Sequence, residues 1–110
     1  MSKDIYLKAP RFIDHHPAEG RSNEEILRSK LIIKKIINYG VNNHNGRKSI
    51  IDLEFTEHIE KSFIKILAGF AVENTNFILY RPKKPLQHKL VEHGFPKDNI
   101  ESRELSLARA

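Results

Sequence analysis

The sequence predicts an α/β domain, a mixed sheet of about four to five strands covered by about three to four helices. Two observations predict it: stretches with apolar residues at helical spacing alternate with short, nearly continuous apolar runs, and glycine, proline and asparagine mark the junctions between them. Strands joined by crossover helices leave that alternation in a sequence, and right-handed crossovers arrange the parallel members of the sheet. The chain of 110 residues suits one domain spanning residues 1–110, with an amino-terminal strand region over 1–19 and a frayed end over 106–110.

Each element has its own local reason. Ile5 and Leu7, then Phe12 and Ile13, alternate in part, and Pro10 between them forbids one uninterrupted central strand, so two short strands or one broken one are expected. Pro17 and Gly20 mark a loop. Ser22, three residues before Glu25, forms a capping box that opens a helix. Ile26, Leu27, Leu31, Ile32, Ile33, Ile36 and Ile37 give that helix a wide apolar face, Arg28, Lys30, Lys34 and Lys35 a wet side, and Gly40 its end. The turn chemistry of 42–46 leads into Ser49-Ile50-Ile51-Asp52-Leu53-Glu54-Phe55, expected as a largely buried strand. Ile59, Phe63, Ile66, Leu67 and Phe70 draw one stripe down a second helix ending near Val72, and Asn74 to Asn76 turn out of it. Phe77-Ile78-Leu79-Tyr80 reads as another interior strand, stopped by Pro82. Pro85 suits the first turn of a third helix that buries Leu86, Leu90 and Val91 and closes at Gly94 and Pro96, before an edge strand around Ile100.

Composition narrows the function classes. A hydrophobic fraction of 39% and a charged fraction of 30% are those of a folded soluble chain. No apolar run approaches the roughly 20 residues of a membrane span, and Met1-Ser2-Lys3-Asp4 is no secretory leader, so a cytoplasmic protein is expected. The absence of cysteine excludes disulfides, thiol nucleophiles and thiolate metal sites. A net charge of +5 raises the prospect of a polyanionic partner, but acids such as Glu24, Glu25, Glu57 and Glu60 interrupt any basic stripe.

Few residues carry chemistry in a recognisable pattern. Asp52 and Glu54, two apart on the expected strand, would share a face and with Glu57 or His58 form a metal site for phosphodiester hydrolysis, although no lysine stands at the spacing a nuclease needs. His15 and His16 read as a solvated pair, because neighbouring side chains of an extended segment point apart and no third ligand is near in sequence. His44, His58, His88 and His93 have no nucleophile at triad spacing and read as surface histidines. Arg81, Lys83 and Lys84 form the densest positive cluster and a candidate polyanion site, with a solvated loop as its plainer reading. Glycine-rich phosphate loops are absent. No catalytic residue, metal or cofactor is expected, and the chain is read as a non-enzyme.

Two segments resemble a known family. Gly20-Arg21-Ser22-Asn23-Glu24-Glu25-Ile26-Leu27-Arg28 looks like the G-x-x-S-G-E-x-F-R helix opening of STAS-like proteins of unknown function, and Ile51-Asp52-Leu53-Glu54, followed by Ser62-Phe63-Ile64 and Gly69, resembles their V-x-D-h strand, S-S-F and F-G-G helix. The likeness runs from Gly20 to about Gly94; Asn23 stands for the usual glycine, Lys61 for the first serine and Phe70 for the second glycine. The resemblance implies a regulatory or signalling module, related to anti-sigma-factor antagonists, that docks on a partner such as a GHKL-type ATPase or kinase. It implies Ser62 as a phosphoacceptor and Glu57, His58, Glu60, Lys61 and Ser62 as the docking surface, with a helix-capping serine as the plainer reading of Ser62. The rivals are a nucleic-acid-binding accessory protein using Lys34, Lys35, Arg47, Lys48, Arg81, Lys83 and Lys84, and a metal-dependent nuclease built on Asp52 and Glu54.

Overall fold

The computed structural model describes residues 4–16, 18–42 and 48–102; His44, Arg47 and the expected frayed end at 106–110 lie outside the described residues. The elements are β1 (Ile5–Lys8), β2 (Phe12–Ile13), α1 (Asn23–Asn42), β3 (Ser49–Asp52), β4 (His58–Ile59), α2 (Lys61–Glu73), β5 (Phe77–Tyr80), α3 (Lys84–Glu92), a 3-10 turn (Lys97–Asn99) and β6 (Ile100–Glu101). The predicted α/β class forms, as a four-stranded sheet in the order β1-β3-β5-β6 with a separate two-stranded pair, β2-β4. All these ladders are parallel, a more uniform arrangement than the mixed sheet expected.

The period of two along each strand decides what the sheet buries. Ile51, Phe77 and Leu79 join Ile32, Ile33 and Ile36 of α1, Phe63, Ile64 and Leu67 of α2, and Leu86 and Leu90 of α3 in one cluster, so all three helices cover the same face. That follows from a strand order in which every crossover steps in the same direction. The alternate residues, Tyr6, Ile50, Asp52, Ile78, Tyr80 and Glu101, lie across the sheet on its other face in matched register.

Local signals explain the boundaries. The capping box closes as expected: the Ser22 amide donates to Glu25 Oε1 at 2.9 Å and the Glu25 amide to Ser22 Oγ at 3.1 Å. Gly94, at φ 98°, ends α3 with its amide on the Val91 carbonyl, while the Phe95 amide reaches the Leu90 carbonyl and buries the Phe95 ring. Four expectations shift. Ile59, expected on the stripe of the second helix, instead pairs with Ile13 in β4, and α2 begins at Lys61. Helix α1 continues past Gly40 to Asn42. Strand β3 stops at Asp52, because the chain turns at 54–55, where the Thr56 amide closes onto the Leu53 carbonyl. Leu27, Leu31 and Val91 are exposed, since the apolar faces of α1 and α3 are wider than their contact with the core, and Phe55 is exposed in the turn that follows β3.

Candidate functional site

Three polar or concave features surround the carboxyl ends of the strands, the edge at which open α/β sheets ordinarily hold ligands. The first is a groove of about 620 Å³ between α1 and the loops that follow β1 and β3. Ala9, Pro10, Leu31, Ile32 and Phe55 give it apolar walls, and among the described residues its charged lining consists of the cations Lys8, Arg11, Arg28 and Lys35. The two loops are tied together: Thr56 Oγ1 donates to the Pro10 carbonyl at 2.9 Å and the Glu57 amide to the Arg11 carbonyl at 2.8 Å. Lys8 Nζ stands 4.6 Å from the Phe55 ring centre, a cation–π contact. Exposed pairs with Glu57 and Glu24 partly offset Arg11 and Arg28; solvent screens such pairs, so they exchange readily for a new partner.

The second feature is a buried network on the face of the sheet opposite the three helices. Asp52, wholly inaccessible, ends β3, and Arg81 follows β5, its neighbour in the sheet. Arg81 Nη2 donates to Asp52 Oδ2 and to Glu54 Oε1, each at 2.9 Å, the Tyr6 hydroxyl donates to Asp52, and the Glu54 amide donates to Asp52 Oδ1 at 3.0 Å. Burial works to raise the Asp52 pKa, but the hydrogen bonds from Arg81, Tyr6 and the Glu54 amide outweigh it and hold the carboxyl below its ordinary range. Burial, with the Asp52 charge beside it, pushes the Tyr6 hydroxyl up to about 12. The hydrogen bond to Asp52 keeps Arg81 firmly protonated. Arg81 takes φ 55°, a left-handed conformation that costs an L-residue about 1–2 kcal/mol and that swings its side chain back over the Tyr80 ring toward Asp52.

This network corrects two expectations. Asp52 and Glu54 do not form a metal site with Glu57 or His58, because a guanidinium occupies the position between the two carboxylates while Glu57 pairs with Arg11 and His58 faces Asp14. Arg81 is not part of a polyanion surface with Lys83 and Lys84, because its charge is spent inward; Lys83 and Lys84 remain exposed.

The third feature gathers around the β2-β4 pair. Asp14, just past β2, exchanges hydrogen bonds with Ser29 of α1, and its Oδ2 accepts from Arg21 Nε at 2.7 Å. Asp14 Oδ1 is buried without a hydrogen bond and looks onto His58 Nε2 at 3.5 Å. Burial, reinforced by Lys89 at 3.3 Å from its Nδ1, lowers the His58 pKa and keeps the imidazole neutral near pH 7. His58 is therefore partly turned inward, unlike the surface histidine expected. Glu60 accepts from the His16 amide at 2.6 Å on Oε1 and pairs with His16 Nδ1 at 2.8 Å on Oε2, where the Ser62 hydroxyl also donates. Burial would raise the Glu60 pKa, but the bonds from Ser62 and His16 prevail and bring it down to about 2.

His15 and His16 are both exposed, as expected of a solvated pair, but they are not splayed apart. The chain bends after β2, the two rings lie 4.9 Å apart, and one donor atom from each comes within 4.8 Å of a Glu60 oxygen. Ser62 is the second residue of α2, half-buried; Glu60 is the residue preceding the helix and makes no side-chain cap, so the capping reading of Ser62 does not hold. Of the expected docking residues, Glu57 and Lys61 are exposed, while His58, Glu60 and Ser62 are half-buried in the network just described. The rival nucleic-acid set is divided: Lys48 precedes β3 at the amino edge of the sheet, whereas Lys83 and Lys84 follow β5 at the carboxyl edge. Among the described residues no helix is long and apolar enough to cross a membrane.

Neither the groove nor the two networks was read from the sequence, since each joins residues more than twenty positions apart. Comparison with protein-family models, with curated proteins and with solved structures finds no match to this chain.

Proposed function

We propose that the protein is a non-enzymatic binding module that captures an acidic segment of a partner protein in the groove between α1 and Phe55. The observation that carries this reading is a concave surface with apolar walls whose charged lining, among the described residues, is cationic: Lys8, Arg11, Arg28 and Lys35 around Leu31 and Phe55. Leu31 and Phe55 are each more than half exposed, as is Leu27 one turn along α1 from Leu31. Exposed apolar side chains rimmed by charge supply an anchor pocket for one apolar side chain of the partner and an electrostatic rim that steers a negatively charged segment to it. A nucleic acid would use the cations but leave the apolar walls without a role. Within this reading the chain serves as a regulatory or signalling module, in keeping with its STAS-like resemblance, and an ATPase or kinase is the partner class which that resemblance suggests.

The experiment is fluorescence anisotropy with a labelled acidic peptide carrying a single leucine or phenylalanine among Asp and Glu, alongside a basic peptide of the same length and a single-stranded oligonucleotide. The acidic peptide binds, and Arg28→Glu and Lys35→Glu each weaken it about fivefold or more while leaving the urea midpoint unchanged. Equal affinity for the basic peptide, or no binding to either, refutes the proposal. Tighter and steeply salt-dependent binding of the oligonucleotide transfers the groove to the nucleic-acid reading.

A second reading concerns Ser62. Its hydroxyl is half-exposed at the first turn of α2 and already bonded to ionised Glu60. A phosphate there gains from the helix amino terminus but brings about −1.5 to −2 charges against that carboxylate, so the local surface of Glu57, Glu60 and Lys61 would change sharply.

A further inference from the structure

We propose that His15, His16 and Glu60 bind a divalent transition-metal ion of the zinc class. The parallel pairing Ile13↔Ile59 delivers the three residues to one place, since the chain leaves β2 toward His15 and His16 just where β4 leads into Glu60, and the Glu60 amide is held on the Ile13 carbonyl at 2.9 Å. One ligand atom from each side chain lies within 4.8 Å of the others, and His16 Nδ1 is already 2.8 Å from Glu60 Oε2. Ligand bonds of about 2.0–2.1 Å put neighbouring donors of a tetrahedral ion about 3.3 Å apart, so the widest separation has to close by only about 1.5 Å. Both imidazoles are exposed, so small ring rotations can make that adjustment.

The donor set selects the ion. Two neutral imidazoles and one carboxylate suit zinc and its neighbours in the first transition row, and they leave a fourth position for water or an incoming group; magnesium and calcium favour all-oxygen shells. The carboxylate is oriented by groups that need not leave: the His16 amide holds Oε1 at 2.6 Å and the Ser62 hydroxyl donates to Oε2. His15 rests against the buried ring of Phe63, centroid to centroid 5.9 Å, which limits its positions to the side facing His16. The ion would take the place of the direct contact between His16 Nδ1 and Glu60 Oε2. This proposal stands on geometry separate from the α1 groove and does not depend on the docking reading.

The test is isothermal titration of the full chain with zinc chloride, and in parallel with magnesium chloride, in a non-chelating buffer near neutral pH. One equivalent of zinc binds and magnesium gives no heat. His15→Ala, His16→Ala and Glu60→Gln each weaken zinc by about tenfold or more, whereas His88→Ala and His93→Ala, an exposed histidine of α3 and a half-buried one at its end, both outside the cluster, leave it unchanged. Circular dichroism verifies that each variant is folded, and Glu60→Gln, which keeps the side-chain shape, supplies the comparison should an alanine variant unfold. Cobalt added to the unaltered chain gives the visible absorption of a low-coordinate site, lost in His16→Ala. Absence of zinc binding, affinity undiminished in the three ligand variants, or its loss in His88→Ala or His93→Ala overturns the proposal.

Discussion

Removing the Arg81 guanidinium tests whether the Tyr6-Asp52-Arg81-Glu54 network holds the carboxyl edge of the sheet together. In Arg81→Ala the Asp52 carboxylate, wholly buried, keeps only the Tyr6 hydroxyl and the Glu54 amide. Breaking a buried pair by deleting one partner costs about 3–5 kcal/mol, and the lower end applies because Arg81 is 27% exposed and two donors remain to the carboxylate. The alanine also inherits φ 55°, so Arg81→Gly, which relieves that strain, should lose about 1 kcal/mol less. At about 4 °C per kcal/mol for a domain of this size, the expected falls in Tm are about 12 °C for Arg81→Ala and about 8 °C for Arg81→Gly. The pH dependence adds a second signature. In the native protein the folded pKa of Asp52 is depressed, so its stabilisation is present above the unfolded value and lost as pH falls through the folded one. Without Arg81, burial lifts the folded pKa above the unfolded value, so the carboxyl destabilises progressively as pH rises through both. The gap between native and variant therefore widens from pH 4 to pH 7 in urea denaturation. A gap below about 1 kcal/mol at pH 7 that does not change with pH would refute the buried-pair reasoning.

Phe55→Ala separates binding from folding: its ring is more than half exposed, so the unfolding free energy in urea should change by under about 1 kcal/mol while affinity for the acidic peptide falls about tenfold, as anisotropy would record. Phe63→Ala does the reverse, since its inaccessible ring lies at the centre of the helix-covered cluster and its loss should cost about 3–5 kcal/mol by the same denaturation assay. Ser22→Ala removes one half of the α1 capping box and should cost about 1 kcal/mol, visible as a lower Tm. Ser62→Asp should weaken binding to the cognate partner with the circular dichroism spectrum intact; unchanged affinity in calorimetry counts against a phosphorylation switch.

Local chemistry was legible where a few adjacent residues suffice. Ser22 and Glu25 announce α1, Gly94 and Pro96 end α3, and the apolar runs of 49–52 and 77–80 are strands because only a doubly covered or matched-register position accommodates them. What stayed hidden depends on which strand lies beside which. Asp52 and Glu54 read as open carboxylates until the β3-β5 pairing brings Arg81 between them, and no spacing of 27 or 29 residues betrays that ion pair. The α1 sequence offers one broad apolar face; the tertiary packing chooses Ile32, Ile33 and Ile36 for the core and leaves Leu27 and Leu31 in water.

The sequence by itself determined the alternation of helices and strands, because hydrophobic period, caps and turn residues act within a few positions of one another. Only the tertiary structure decided that His15 and His16 meet Glu60, that Arg81 turns inward, and that four cations border one apolar groove. These juxtapositions arise from parallel registers between distant segments, and a parallel register is set by the packing of the whole sheet against its helices, not by the residues it brings together.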